Sequence, residues 1–292
     1  MVGKGAISQN APSVFMPSEL EEAWNLKHQF GADGCFVAGG SLLQTNWQKG
    51  MEVPSSLISL GFIKEMKGWG KDVLSGETYT CIGALTTLAL CRSHPDMKKF
   101  PVLAEAARNI AAPAIRNQAT LGGNVISRFG DAIPALLVLD CQLQWFMGDD
   151  YVLMPLIDFI HEGPPDEHAI LIAVYIPEQV EGSNESSFYR KIGLRDAFSP
   201  SIVTISGKCR LGMNKDVETI RLAAGGSINP PQRLVESEKL LKESGISADS
   251  LKKVLHTIKE EFTPIADISF SSDYKKTVAA NLIVSELSRI AG

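Results

Sequence analysis

The chain has 292 residues, 45% of them hydrophobic and 21% charged, with a formal net charge of −5 and a pI near 5.6. That length and hydrophobic content allow a sizeable core divided into two or three lobes. The acidic balance, with no lysine or arginine cluster to offset it, argues against a general nucleic-acid binder. Apolar runs such as Ala132 to Leu139 and Ala169 to Ile176 are too short to span a bilayer.

The opening MVGKGAISQNAPS has no apolar core of the kind a secretory signal needs, so a cytoplasmic protein is expected. Val14 to Pro17 reads as an edge strand. Ser18-Glu19-Leu20-Glu21 reads as a capping box opening a helix that runs to about Phe30 and stops at Gly31. Cys35 to Ala38 is a short buried strand that completes a β-α-β unit and runs into Gly39-Gly40-Ser41-Leu42-Leu43, and Leu57 to Leu60 is a further strand. Thr78 to Gly83 is a strand, Ala84 to Leu88 opens a helix, and a second helix covers Pro101 to Ala112. Its apolar face is Leu103, Ala106, Ala107, Ile110 and Ala114, and Pro113 disfavours simple continuation. After Thr120-Leu121-Gly122-Gly123-Asn124 come a helix over Ile133 to Leu139 and strands near Cys141 to Met147 and Ala169 to Ile176.

Beyond Pro177 the pattern changes. Glu178 to Ser187 reads as a linker or hairpin. Phe188 to Ile192, Ile202 to Leu211 and Thr219 to Ala224 read as antiparallel strands, and Leu234 to Leu241, Ser250 to Ile258 and Ser271 to Ile290 as helices. Strands grouped before helices mark a separate α+β lobe.

Two features bear on chemistry. The cysteines (Cys35, Cys81, Cys91, Cys141, Cys209) and histidines (His28, His94, His161, His168, His256) show neither CxxC nor metal-ligand spacing. A structural zinc or self-contained iron–sulfur cluster is therefore not expected, and any electron handling would fall to an organic cofactor. The second feature is the pair of glycine turns. Adjacent glycines let a bound group approach the main chain, and strand, glycine turn and helix start present backbone N–H groups to a pyrophosphate without a lysine. Each alone also reads as a plain tight turn, and neither carries a G-x-G-x-x-G or P-loop signature. Both belong to α/β units and are supposed to face one cleft.

Taken together, these residues resemble the FAD-binding medium subunit of the xanthine dehydrogenase and carbon monoxide dehydrogenase family of molybdenum hydroxylases. The likeness runs through Ala38-Gly39-Gly40-Ser41-x-Leu43, Ile82-Gly83-Ala84-x-Thr86-Thr87, Pro101-x-Leu103-x-Glu105-Ala106-Ala107 and Pro134-x-Leu136-Leu137-x-Leu139-Asp140. It continues through Ile176-Pro177, Phe188-Tyr189-x-Lys191 and Gly225-Gly226-x-x-x-Pro230-x-x-Arg233. Its most specific block is Ile115-Arg116-Asn117-x-Ala119-Thr120-x-Gly122-Gly123-Asn124.

The resemblance implies an α+β fold: a two-lobed FAD-binding domain of the vanillyl-alcohol-oxidase (PCMH) type over residues 1–180, with subdomains of about 1–60 and 61–180, then an α+β domain of antiparallel strands and helices over 181–292. It implies that Ala38, Gly39, Gly40, Ser41, Leu42 and Leu43 hold the FAD pyrophosphate, and that Thr120, Gly123 and Asn124 form the opposite wall. Asp131 would meet flavin-side hydroxyls, Ile110 and Leu171 would touch the ring system, and Lys191 would sit near the cofactor in the seam between lobes. No catalytic acid or base and no metal ligand is implied, because the flavin carries the chemistry.

The departures are Leu42, where the family usually has a polar residue, and a shortened loop between Asn124 and Asp131. In that loop Arg128 is read as covering the surface in preference to meeting a phosphate. Plainer roles stand beside these: a solvated Lys191, Asp131 as N-cap of the Ile133 helix, and Trp24, Trp47, Trp69 and Trp145 as packing residues. The implied partners are a small [2Fe–2S] subunit and a large molybdopterin subunit, with NAD⁺, oxygen or a carrier as acceptor. The competing readings are a stand-alone flavin oxidoreductase and a scaffold or maturation subunit without FAD.

Overall fold

The computed structural model describes residues 11–178, 185–195, 199–213 and 216–292. Three sheets organise it. The first is parallel: β1 (Ser13–Phe15) and β2 (Gly34–Val37) flank β3 (Ser56–Ser59), with α1 (Leu20–Phe30) and α2 (Ser41–Gln48) as its helices. β1 and β2 thus pair with β3 and not with each other, so the expected β-α-β unit encloses a strand that follows it in sequence.

The capping box at Ser18 does not form. Glu19 is the N-cap and no side chain caps the helix; the Ser18 N–H donates to Glu22 Oε2 (3.1 Å), which leaves only the carboxylate half of such a box, displaced by one residue.

The second sheet is antiparallel throughout, in the order β4 (Trp69–Leu74), β5 (Glu77–Gly83), β8 (Ile170–Pro177), β6 (Gln142–Met147), β7 (Asp150–Pro155). Its helices are α3 (Leu88–Ser93), α4 (Pro101–Asn109), α5 (Pro113–Arg116), α6 (Leu121–Ile126), α7 (Ile133–Val138) and α8 (Leu156–Glu162). The expected helix over Pro101 to Ala112 ends at Asn109, because Ile110 is extended (φ −86°, ψ 127°) and Ala111 then takes a left-handed φ of +50°. Leu103, Ala106, Ala107 and Ile110 are buried as their spacing predicts, but Ala114 is exposed on the separate α5. The helix expected from Ala84 starts at Leu88, where the Thr87 side chain accepts the Leu90 N–H.

The third sheet, in the order β12 (Asn229–Arg233), β11 (Val217–Gly226), β10 (Ser201–Leu211), β9 (Glu185–Gly193), is antiparallel. Strand alternation splits its faces. Phe188, Val203, Ile205, Cys209, Leu222 and Ala224 pack against α9 (Val235–Ser244), α10 (Ala248–Glu261) and α11 (Ser272–Ala291) in a core of their own. Tyr189, Lys191, Thr204, Ser206 and Ala223, in register on the other face, turn toward α4 and α7. That second face is polar and small because it lies at a seam between lobes. The expected linker of Glu178 to Ser187 falls partly outside the described residues, as does the N-terminal stretch 1–10. Among the described residues no helix is long and apolar enough to cross a membrane.

Candidate cofactor site

The first glycine loop lies between the end of β2 and the start of α2. Gly40 is the N-cap of α2 with φ +66°, a left-handed conformation that glycine adopts freely. From Gly39 to Leu43 the N–H groups have no main-chain acceptor among the described residues, since the first intrahelical bonds begin at Gln44 and Thr45. Leu42 is half exposed.

The second loop comes from the other lobe and is zipped onto the segment after β5. Leu88 N–H donates to Ala119 O (2.8 Å), Leu121 N–H to Thr86 O (2.8 Å) and Gly122 N–H to Ala84 O (2.8 Å). Thr120 is the N-cap of α6 and accepts the Gly123 N–H (3.0 Å). The Gly123 donor is therefore engaged within the loop, and what Thr120 retains for a ligand is its hydroxyl proton and one lone pair. Asn124 Oδ1 accepts the Ala132 N–H (3.1 Å), which folds the 125–131 segment back on itself; a Cβ on Gly130 would lie 2.2 Å from that oxygen.

The two loops touch. A Cβ added to Gly39 would stand 1.9 Å from Gln118 O and 3.2 Å from Ala119 Cα. The first lobe's phosphate-type loop is thus seated on the main chain that leads into the second loop, in a contact only glycine permits. The lobes also meet at α1, where the His28 ring stacks on His168 at 4.0 Å and Trp24 meets Phe146 edge-on at 6.2 Å.

Asp131 and Lys191 meet where α7 faces the third sheet. Lys191 Nζ pairs with Asp131 Oδ2 (3.0 Å) and donates to Asn109 O (3.2 Å), while Ser201 Oγ donates to Asp131 Oδ1 (2.6 Å). The two charged side chains are 11% and 14% exposed, so Lys191 is not a solvated surface lysine. Asp131 does not cap the Ile133 helix; Ala132 is the N-cap, and both carboxylate oxygens turn to Ser201 and Lys191 instead. Tyr189 Oη donates to Asp131 O (3.1 Å), and burial, reinforced by the Asp131 charge, pushes that phenol well above its usual range. Ser201 and Tyr189 had no signal as site residues in the sequence; they reach Asp131 through strand pairing from far along the chain.

Ile110 and Leu171 lie in the larger core with 8% and 5% exposure. Arg128 bonds the carbonyls of Ile160 and His161 at the C-terminal end of α8, a favourable place for a cation, and makes no contact with either glycine loop. Trp145 is fully buried, and Trp69 stacks on His94 at 4.2 Å, so both are packing residues. Among the described residues no group of histidine, cysteine or acidic side chains forms a metal site.

A run of main-chain donors without an acceptor among the described residues at a helix N-terminus, a facing glycine turn, and a seam of polar groups between lobes are features that suit a dinucleotide held by main-chain groups. The donor set suits the pyrophosphate and polyol of a flavin adenine dinucleotide. By the match of residues 8–179 to the model described as the FAD binding domain in molybdopterin dehydrogenase, the chain belongs to that family, and residues 188–290 match the CO dehydrogenase flavoprotein C-terminal domain.

Among relatives, the nicotine 6-hydroxylase medium subunit of Paenarthrobacter nicotinovorans is 27% identical, over 91% of this chain and 93% of that one. The putative xanthine dehydrogenase FAD-binding subunit of Escherichia coli is 27% identical over 72% of this chain and 75% of its own. Among solved structures, reconstituted CO dehydrogenase from Oligotropha carboxidovorans shares the fold, with a TM-score of 0.87 at 20% identity over 96% of this chain and 98% of that one. The α+β architecture expected from the sequence is thus the observed one.

Proposed function

We propose that this chain is the FAD-carrying electron-transfer subunit of a molybdenum hydroxylase. It receives electrons from the iron–sulfur clusters of a small partner subunit, ultimately from a large molybdopterin subunit, and passes them to NAD⁺ or another acceptor in the cytoplasm. The observation that carries the reading is the contact of the two glycine loops across Gly39 and Gln118, which builds one main-chain cradle from two lobes. The relatives support it, being described as medium or FAD-binding subunits of hydroxylases and dehydrogenases.

In this reading Ala38, Gly39, Gly40, Ser41, Leu42 and Leu43 hold the pyrophosphate through the free N–H groups of the loop. Thr120, Gly123 and Asn124 close the other side, and Asp131 and Lys191 line the seam. Ile110 and Leu171 give the ring an apolar floor, residues 1–180 form the FAD-binding domain, and 181–292 form the C-terminal domain of antiparallel strands and helices. Bound FAD supplies the redox chemistry, taking electrons singly and releasing them in pairs. The chain contributes binding, orientation and exclusion of water.

The test is reconstitution. Purified protein incubated with FAD should retain about one flavin per chain after gel filtration, and dithionite-reduced protein should be reoxidised by its acceptor, NAD⁺ being tried first. Co-purification of a [2Fe–2S] protein separates a subunit from a stand-alone enzyme. Failure to retain flavin would leave an empty scaffold.

A further inference from the structure

The chain between α4 and α5 has its carbonyls held from one side. Arg116, itself buried, shares the two protons of a single nitrogen, Nη1, among Arg108 O (3.2 Å), Ile110 O (3.0 Å) and Ala111 O (2.5 Å), and Lys191 Nζ takes the intervening Asn109 O (3.2 Å). Four consecutive carbonyls are pinned by two cations. Between them Ile110 is extended (φ −86°, ψ 127°) and Ala111 is left-handed (φ +50°), the first three torsions of a type II turn whose third residue is ordinarily glycine. An alanine persists in that conformation only where its surroundings over-determine it.

The peptide geometry then sets where the donors point. None of the described peptide bonds is cis, and in a planar trans peptide the N–H lies antiparallel to the C=O of the same unit. With the carbonyls of Ile110 and Ala111 drawn to Arg116, the N–H groups of Ala111 and Ala112 are directed away from it. Both residues are half-buried, and neither N–H has an acceptor among the described residues. Two adjacent, half-buried donors without an acceptor among the described residues are available to a ligand. They follow the apolar Ile110, the preceding Asn109 carbonyl is tied through Lys191 to Asp131, and Arg116 leads directly into the Asn117 to Ala119 stretch that seats Gly39.

We propose that Arg116 is a positioning residue for the flavin: it holds the Ile110 to Ala112 turn so that the N–H groups of Ala111 and Ala112 donate to an electronegative oxygen or nitrogen of the cofactor. The proposal rests on the FAD reading above. Because all three Arg116 bonds leave from one nitrogen, the ammonium of a lysine, with three donors, meets the same carbonyls, whereas methionine supplies none.

The experiment compares apoprotein of the wild type, Arg116→Met and Arg116→Lys by FAD titration and by the visible spectrum of the bound flavin. Alongside, wild-type protein labelled with 15N-alanine reports the Ala111 and Ala112 amide resonances on FAD addition. Arg116→Met is expected to bind FAD at least tenfold more weakly and with a shifted flavin band, Arg116→Lys to recover both, and the two amide resonances to move on binding. Wild-type affinity and spectrum in folded Arg116→Met overturn the inference while leaving the FAD reading intact. So do unmoved Ala111 and Ala112 resonances in flavin-loaded wild type, a result that holds even where Arg116→Met does not fold. A wild type that binds no FAD brings down the reading beneath it instead.

Discussion

Replacing Gly39 with alanine tests the seating of one lobe on the other. The added methyl would lie 1.9 Å from Gln118 O and 2.6 Å from Gln118 C, both main-chain atoms, so no side chain can swing aside and the backbones must separate. Relieving a contact that is short by well over 1 Å costs about 1–3 kcal/mol in a packed region. If about 2 kcal/mol of that is felt only when the loops are closed on FAD, the dissociation constant rises about 30-fold, at about 1.4 kcal/mol per tenfold.

Gly40→Ala is the control. Its nearest neighbour is Val37 Cγ1 at 3.6 Å, so the methyl has room, and the cost is the left-handed φ of +66°, about 1–2 kcal/mol of strain local to the turn. Calorimetric FAD titration of the two variants should therefore show much weaker binding for Gly39→Ala and a smaller change for Gly40→Ala, with thermal unfolding lowered in both. Gly39→Ala binding FAD as tightly as wild type would refute the claim that this contact forms the cradle.

Other outcomes follow from the remaining network. Lys275 is completely buried and donates to Asp267 Oδ2 (2.6 Å), Ile265 O (2.7 Å) and Asn229 Oδ1 (3.4 Å); Lys275→Met should lower the denaturation midpoint, since it leaves those acceptors without their donor, with flavin affinity unchanged. Asp131→Asn removes the partner of Lys191 while keeping an acceptor for Ser201, and should weaken FAD retention in gel filtration more than it lowers thermal stability. Glu178 accepts from Lys99 and Thr80, which hold its carboxyl down to about 2. A depressed carboxyl stabilises the fold above its unfolded value near 4.5, and that contribution is lost as the pH falls toward about 2. Acid titrations of wild type and Glu178→Gln should accordingly differ near neutrality and converge at the acid end; curves that stay parallel would contradict the assignment.

Most of the architecture was legible because hydrophobic period and glycine punctuation are local signals. The third sheet and its helices follow from alternation and from the helical stripe of Leu251, Val254 and Ile258. β4 (WGKDVL) went unseen because four of its six residues are exposed and two are charged, as suits an edge strand. β12 (NPPQR) was hidden by two prolines, which an edge strand tolerates.

At the site, the glycine loops stood out by composition, but three things were not local. The insertion of β3 between β1 and β2 depends on pairing across the chain. The Asp131 partners arrive from β9 and β10, so a residue well placed to cap a helix is drawn into an ion pair in the seam. Arg116 was visible within its motif, yet its partners are main-chain carbonyls that carry no sequence signature, and the left-handed Ala111 that ends α4 depends on them.

The central claim, that FAD lies between two main-chain loops contributed by separate lobes, is tested most directly by amide hydrogen exchange of the apoprotein with and without FAD. Slowed exchange in both the 38–43 and 117–124 segments, with the α9 to α11 face unchanged, is the predicted result. Protection confined to one loop, or appearing only among the C-terminal helices, would contradict it.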